Sequence, residues 1–303
     1  MSVAVNTELE ALRQKAKRRR FVETMVKRVI IWIAILMALA PGYWVLTASL
    51  QKGTAFFGST VIPSGITFQN YIDLFQDTDF LTWVKNSLIL CFSVATLSTI
   101  AVTLAAFAFS RLRFWGRRYG LMGLLLVQMF PVGVALPAYF YTLFWLSEHF
   151  KPFGHAPVGL ESLRGVILLL VGGGVAFWAW LFKGYIDNLP IELDEAAFVD
   201  GATRFQTLRH VLFPLMRPIM AVVFLFVFIG TYSEYLITSL VITTSQDKFT
   251  LPLGLRGFIR DQFLQNWTMF SAAAVVGTVP LMIIFLLMQR HLVAGLARGA
   301  VKG

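Results

Sequence analysis

The sequence predicts an all-α, polytopic membrane protein with six transmembrane helices, and three observations carry that prediction. Apolar residues make up 57% of the 303 positions and charged residues only 14%, against roughly 45–50% and about 25% in soluble globular chains. The mean hydropathy of +0.70 excludes a water-soluble monomer. Six apolar runs are each long enough to cross a hydrocarbon core, which is about 30 Å thick and takes roughly 20 helical residues. The runs are continuous rather than alternating over about 10 residues, as barrel strands would be. A helix satisfies its own backbone polar groups in lipid.

Taken in order, the runs lie at 28–50, 84–110, 119–146, 163–186, 211–242 and 269–290. The first carries Ala38-Leu39-Ala40, a small-x-small triplet like a cleavage site. A basic segment 28 residues long precedes it, and apolar residues continue through Trp44, Val45 and Leu50, so an uncleaved anchor is expected. Pro131, Gly133 and Pro137 interrupt the third run, and Gly172-Gly173-Gly174 loosen the fourth. Interrupted membrane helices often line sites near the midplane; packing against a partner explains them equally. The fifth run holds Glu234, an acid where charge is costly, placed near the outer end by its distance from Arg217. The expected organisation is a basic segment 1–28, a six-helix domain 29–290 with a long connecting loop 188–214, and a tail 291–303.

Basic residues in the loops set the orientation. Nineteen lie on the side of both termini, including Arg18, Arg19, Arg20, Arg111, Arg117, Arg204 and Arg298, and seven on the other, from Lys52 to Arg260. Both termini are therefore predicted to be cytoplasmic, and the net charge of +10 is topological rather than a nucleic-acid footprint. With Cys91 the only cysteine, an internal disulfide framework is excluded. The chain has no G-x-x-x-x-G-K-[ST] phosphate loop and no G-x-S-x-G elbow. His149, His155, His210 and His291 are scattered without metal-ligand spacing. Glu148 and Glu161, in an outer loop, form no recognisable catalytic pair. Neither an active site nor a metal site is predicted.

The loop running from Asn188 to Gln206 carries the most local information. Pro190 suits a first helical turn, and Glu192, Asp194 and Glu195 place negative charge at the positive end of a helix dipole. Gly201 is a natural left-handed stop, and Thr203-x-x-Gln206 reads as a capping box. Two short helices joined at Gly201 are expected outside the membrane. Ala196, Ala197 and Gly201 are read as one small face that lets a neighbouring surface approach closely; a solvated amphipathic connector is the plainer alternative.

Glu195-Ala196-Ala197-x-x-x-Gly201, followed by Val211-Leu212-Phe213-Pro214, resembles the E-A-A-x-x-x-G-(x9)-I-x-L-P loop of bacterial ABC-importer permeases, with Val for Ile and Phe for Leu. Asn86-Ser87, Ala105–Phe114, Pro63-x-x-x-Thr67-x-x-Asn70-Tyr71, Gln289-Arg290 and the tail from Gly299 to Gly303 are similar to the carbohydrate branch. Gln128-Met129-Phe130-Pro131 and Asp200-Gly201-Ala202-Thr203 look most like maltose/maltodextrin permease subunits of the MalG type.

The resemblance implies an ABC type I importer permease fold in a bacterial inner membrane. A second permease subunit would complete a heterodimer, two ATPase subunits would carry ATP and Mg below it, and an extracytoplasmic sugar-binding protein would dock above. This chain would bind no cofactor and hydrolyse nothing. By matching position, Glu195, Ala196, Ala197, Asp200 and Gly201 would form a coupling helix seated on the ATPase. Glu195 would face a basic ATPase residue and Gly201 would supply the bend. Arg298, Lys302 and Gly303 would reach toward the ATPase dimer. Pro131, Gly173 and Glu234 are candidates for the translocation path of an oligosaccharide. The outer loop 243–268 would either enter the docked binding protein or cap the permease with its aromatics. The rival reading is an ion-coupled secondary transporter, which would call for more intramembrane acids and internal repeats; a permease for a different sugar is the narrower alternative.

Overall fold

The computed structural model describes residues 2–53, 65–150, 158–259 and 265–300, with side chains for 17–53, 65–117, 119–150, 158–259 and 265–289. The helices are α1 (Ser2–Ser49), α2 (Gln69–Gln76), α3 (Phe80–Arg111), α4 (Arg117–Gln128), α5 (Val132–Phe150) and α6 (Leu163–Asp187). They continue with α7 (Glu192–Val199), α8 (Arg204–Gln206), a π-helical stretch Thr207–Leu212, α9 (Phe213–Tyr232), α10 (Leu236–Val241), α11 (Leu251–Arg256) and α12 (Trp267–Ala300). Among the described residues the β pairing is confined to an isolated bridge between Gln51 and Ile66.

Among the described residues five helices are long and apolar enough to cross a membrane, or six spans when α4 and α5, bent by 96° at the break between them, are counted as one. All six predicted runs fall on these spans, so the chain is a multi-pass α-helical membrane protein. The third run breaks at Pro131. Proline donates no N–H and pushes the residue before it out of the helical region, and its carbonyl instead opens α5 by accepting Val134 N–H at 2.9 Å. Gly133 and Pro137 sit inside α5 without ending it.

The structure refines several expectations. The triple glycine of the fourth run leaves α6 continuous from Leu163 to Asp187. Glycine weakens a helix by only about 1 kcal/mol, and in lipid an opened backbone costs more than that. The fifth run is two helices, because α9 stops at Tyr232 and α10 begins at Leu236. The connecting loop does not hold two separate short helices either. α8 runs through the π-helical stretch into α9, so Arg204–Tyr232 is one span. α1 runs without a break from Ser2 to Ser49, so residues 2–28 share a helix with the first span.

The chain divides into two compact units. The first comprises Met1–Tyr71 and Asn266–Val275. Its apolar α1 side chains, Trp32, Leu36 and Met37 among them, are exposed as on a lipid-facing span. The chain leaving α1 is tied down by Asn70, whose amide donates to the carbonyls of Ser49 (2.8 Å) and Gln51 (2.9 Å). Ser49 and Tyr71 share a hydroxyl–hydroxyl bond of 2.6 Å, and Thr268 donates to Gly53 O at 2.6 Å. The Thr67-x-x-Asn70-Tyr71 signature is therefore a fastening for that exit; Pro63 lies outside the described residues.

The second unit is built around α3, which packs on α6 and α9. Its buried face is rich in small side chains, including Ala95, Ser98, Thr99, Thr103 and Ala106. Small residues let membrane helices approach closely where lipid supplies no hydrophobic drive between them. One apolar cluster gathers Val102, Phe107, Phe182, Ile186, Leu212 and Met216 near the connecting loop. Another gathers Leu90, Val94, Leu143, Val166, Ile237 and Val241 toward the opposite end.

Candidate functional site

The segment 188–214 forms a corner between α6 and the span Arg204–Tyr232, and its geometry follows from local chemistry. α7 starts with Glu192, Asp194 and Glu195 in its first turn. It ends where Gly201 turns left-handed at φ +79° and Ala202 N–H reaches back to Ala197 O at 2.9 Å. The next helix opens on a complete capping box. Thr203 Oγ accepts Gln206 N–H at 3.3 Å, and Gln206 Oε accepts Thr203 N–H at 2.7 Å. Each of these features was expected from the sequence.

The structure divides the small face. Ala197 points inward and is buried, and so is Asp194. Outward lie Glu192, Glu195, Ala196 and Val199, spaced as one helical stripe, with Val199 88% exposed. Asp200 is exposed beyond them, and Phe205 follows the bend, 65% exposed. The Arg204 guanidinium sits 5.4 Å from the Phe198 ring centroid, clamping the two arms of the corner together.

Sequence reasoning gave Asp194 and Arg111 only roles in a helix dipole and in topology. They form an ion pair, Nε to Oδ2 at 2.9 Å, with side chains 9% and 6% exposed. That contact is the one polar partner of either atom among the described residues. Arg111 Nη2 also donates to Leu189 O at 3.0 Å, and Ser110 Oγ donates to Asp187 Oδ1 at 2.5 Å. The last turn of α3 is thus bonded to the corner directly.

The three candidate path residues have distinct surroundings. Pro131 is exposed at the break of the third span. Gln128, just before that break, donates to Gly173 O at 2.6 Å, which joins the broken span to the glycine run of α6. Glu234 spends its carboxylate on α10, accepting Ile237 N–H at 2.6 Å, Thr238 N–H at 3.0 Å and the Thr238 hydroxyl at 2.5 Å. The tail candidates Lys302 and Gly303 lie outside the described residues, as does the side chain of Arg298.

The opposite end carries two further fastenings. Asn86 donates to Asp247 O and Phe249 O, both at 2.9 Å, and Ser87 Oγ accepts Leu251 N–H at 2.8 Å. Phe258 packs on Trp83 with centroids 5.9 Å apart. Residues 247–258 therefore lie against α3. Glu161, at φ +53°, bonds through its carboxylate to Thr243, Thr244 and Ser245. Among the described residues no group of His, Cys, Asp and Glu side chains is placed to hold a metal ion.

Residues 98–298 match the family described as the binding-protein-dependent transport system inner membrane component. The chain is 36% identical over 304 residues to the maltose/maltodextrin transport system permease protein MalG of Escherichia coli (strain K12), covering 95% of this chain and 97% of that one. It is 32% identical over 290 residues to the galactooligosaccharides transport system permease protein GanQ of Bacillus subtilis (strain 168), covering 95% and 98%. In fold it is similar to a chain in the crystal structure of a bacterial ABC transporter involved in import of the acidic polysaccharide alginate. That match has a TM-score of 0.71 at 22% identity and covers 89% of this chain and 96% of the other. The corner where α7 meets the span Arg204–Tyr232, held by a left-handed glycine and a capping box, thus lies within residues 98–298, and the chain belongs to the family of binding-protein-dependent transport system inner membrane components.

Proposed function

We propose that this chain is one of two membrane-spanning subunits of an ATP-driven importer for an oligosaccharide of the maltose/maltodextrin kind. An extracytoplasmic binding protein delivers the sugar, and two separate ATPase subunits supply ATP and Mg. Both termini and the corner 188–214 face the cytoplasm. The outward stripe of Glu192, Glu195, Ala196 and Val199, with the bend at Gly201, seats on the ATPase. ATP-driven closure of the ATPase pair then moves the corner and biases the permease between inward- and outward-open states, as differential contact with two states must. The outer face, including loop 243–268, receives the binding protein.

The observation that carries this reading is the corner itself: an acidic and apolar helix face that is exposed and is ended by the left-handed Gly201 and the capping box that follows it. Names of the curated relatives support the sugar class. The commitment of Glu234 to capping α10 weighs against an ion-coupled secondary transporter. The test is co-purification with the neighbouring permease and ATPase, followed by maltodextrin uptake into vesicles supplied with binding protein. ATP-dependent uptake is expected. Failure to retain an ATPase, or uptake driven by an ion gradient without ATP, overturns the proposal.

A further inference from the structure

α3 is fastened at each end to a segment that the proposed mechanism needs to move. At one end Arg111 is ion-paired to Asp194 on α7 at 2.9 Å and bonded to Leu189 O at 3.0 Å. Arg117 seals the same end by donating to Phe109 O and Ser110 O, at 2.9 and 2.6 Å, so the last turn of α3 is held against fraying. At the other end Asn86 and Ser87 hold the backbone of residues 247–251. Between Asn86 and Arg111 α3 has neither proline nor glycine, a rod of about 37 Å at roughly 1.5 Å per residue. The third and fifth apolar runs, by contrast, are each divided between two helices.

We propose that the Arg111–Asp194 pair is the joint through which α3 follows the coupling corner, and that α3 carries this movement to the outer loop it holds. The proposal rests on the reading of 188–214 as the ATPase dock. A buried ion pair is weak evidence for stability, because desolvation offsets its attraction, but its geometry is restrictive. An apolar pair of similar volume would fill the same space and let α7 slide on α3. Arg111 and Asp194 are positioning residues: they touch neither nucleotide nor sugar, and they fix how the corner and the rod move together. Ser87 plays the matching part at the far end, its hydroxyl setting where Leu251 sits.

The experiment uses the importer reconstituted in vesicles with its second permease, ATPase and binding protein. It reads the ratio of ATP hydrolysis with and without sugar-loaded binding protein. The double variant Arg111→Met/Asp194→Leu leaves no charge unpaired, so normal recovery of the complex is expected, with stimulation reduced at least five-fold. The charge-reversed pair Arg111→Asp/Asp194→Arg is expected to recover at least half of it. Ser87→Ala removes one hydroxyl at the other end and is expected to lower stimulation without loss of complex, which keeps the test open should both inner variants fail to assemble. Wild-type stimulation in the double variant or in Ser87→Ala, or an assembled reversed pair without recovery, overturns the joint. A wild-type chain that retains no ATPase overturns the functional reading instead.

Discussion

Glu161 accepts both the backbone N–H of Thr243, at 2.9 Å, and its hydroxyl, at 2.5 Å, so a single carboxylate grips the chain as it leaves α10. Thr244 and Ser245 add backbone N–H donors at 3.1 Å each, and Lys248 Nζ donates to the Glu161 carbonyl at 2.7 Å. Burial alone would raise this acid, but the side-chain and backbone bonds from Thr243 to Ser245 outweigh it and hold the pKa at about 2, from an ordinary 4.5. Hydrogen bonds to the charged form act in this direction. Because the folded value is depressed, the contribution to stability is fully present above about 4.5 and is lost as pH falls through about 2. Thermal unfolding of the detergent-solubilised chain should show Glu161→Gln less stable than the parent at neutral pH. The gap should close between pH 4.5 and 2; a gap independent of pH would refute the latch.

Gly201 tests the corner. Its φ of +79° is left-handed, yet a Cβ added there meets nothing within 4 Å. A substitution is penalised by the backbone and not by a clash, at about 1–2 kcal/mol for a residue forced into that region. Gly201→Val should keep normal membrane insertion while stimulated ATP hydrolysis falls. Gly201→Asn, which tolerates the conformation, should retain most activity. Equal activity of the Val and Asn variants would contradict the account.

Val199 and Ala197 separate docking from folding. Val199 is 88% exposed and Ala197 7%. An Asp at 199 lies in water, so Val199→Asp should weaken ATPase capture with little change in melting temperature. Ala197→Asp buries an unpaired charge, which costs several kcal/mol, and should lower the recovery of folded chain. If both variants lose capture with unchanged melting, α7 docks through a different face.

What was legible in the sequence was local or imposed by lipid. The six spans follow from apolar length, and the bend at Gly201 and the box at Thr203 and Gln206 follow from residues within three positions of each other. The break at Pro131 was visible because proline announces it; that after Tyr232 was not, since Ser233-Glu234-Tyr235 contains neither proline nor glycine and Glu234 does the capping. Arg111 with Asp194, and Glu161 with Thr243, were invisible because their partners are brought together by tertiary packing, the latter 82 positions apart. Asn86-Ser87 stood out as a signature, but its targets at Asp247, Phe249 and Leu251 had no pattern of their own.

Gly254 decides whether the outer loop is anchored as described. It is buried, and a Cβ there would overlap the six-membered ring of Trp83, which is itself buried. Nothing comparable surrounds Gly201, so the two glycines serve opposite purposes: one supplies a conformation and the other a close approach. Overpacking a tight contact typically costs about 1–3 kcal/mol, and here the loop, held by two Asn86 bonds and one from Ser87, gives way before the helix does. Gly254→Ala should therefore raise hydrogen exchange at residues 247–258 while the α3 amides stay protected. Trp83→Leu should relieve the overlap, so the double variant should exchange more slowly than Gly254→Ala alone. Removing Leu253–Gln262 outright would delete Gly254 and the Phe258 ring that packs on Trp83, so that cut should lower chain stability as well as any response to binding protein. Unchanged exchange in Gly254→Ala would mean that the loop does not rest on Trp83.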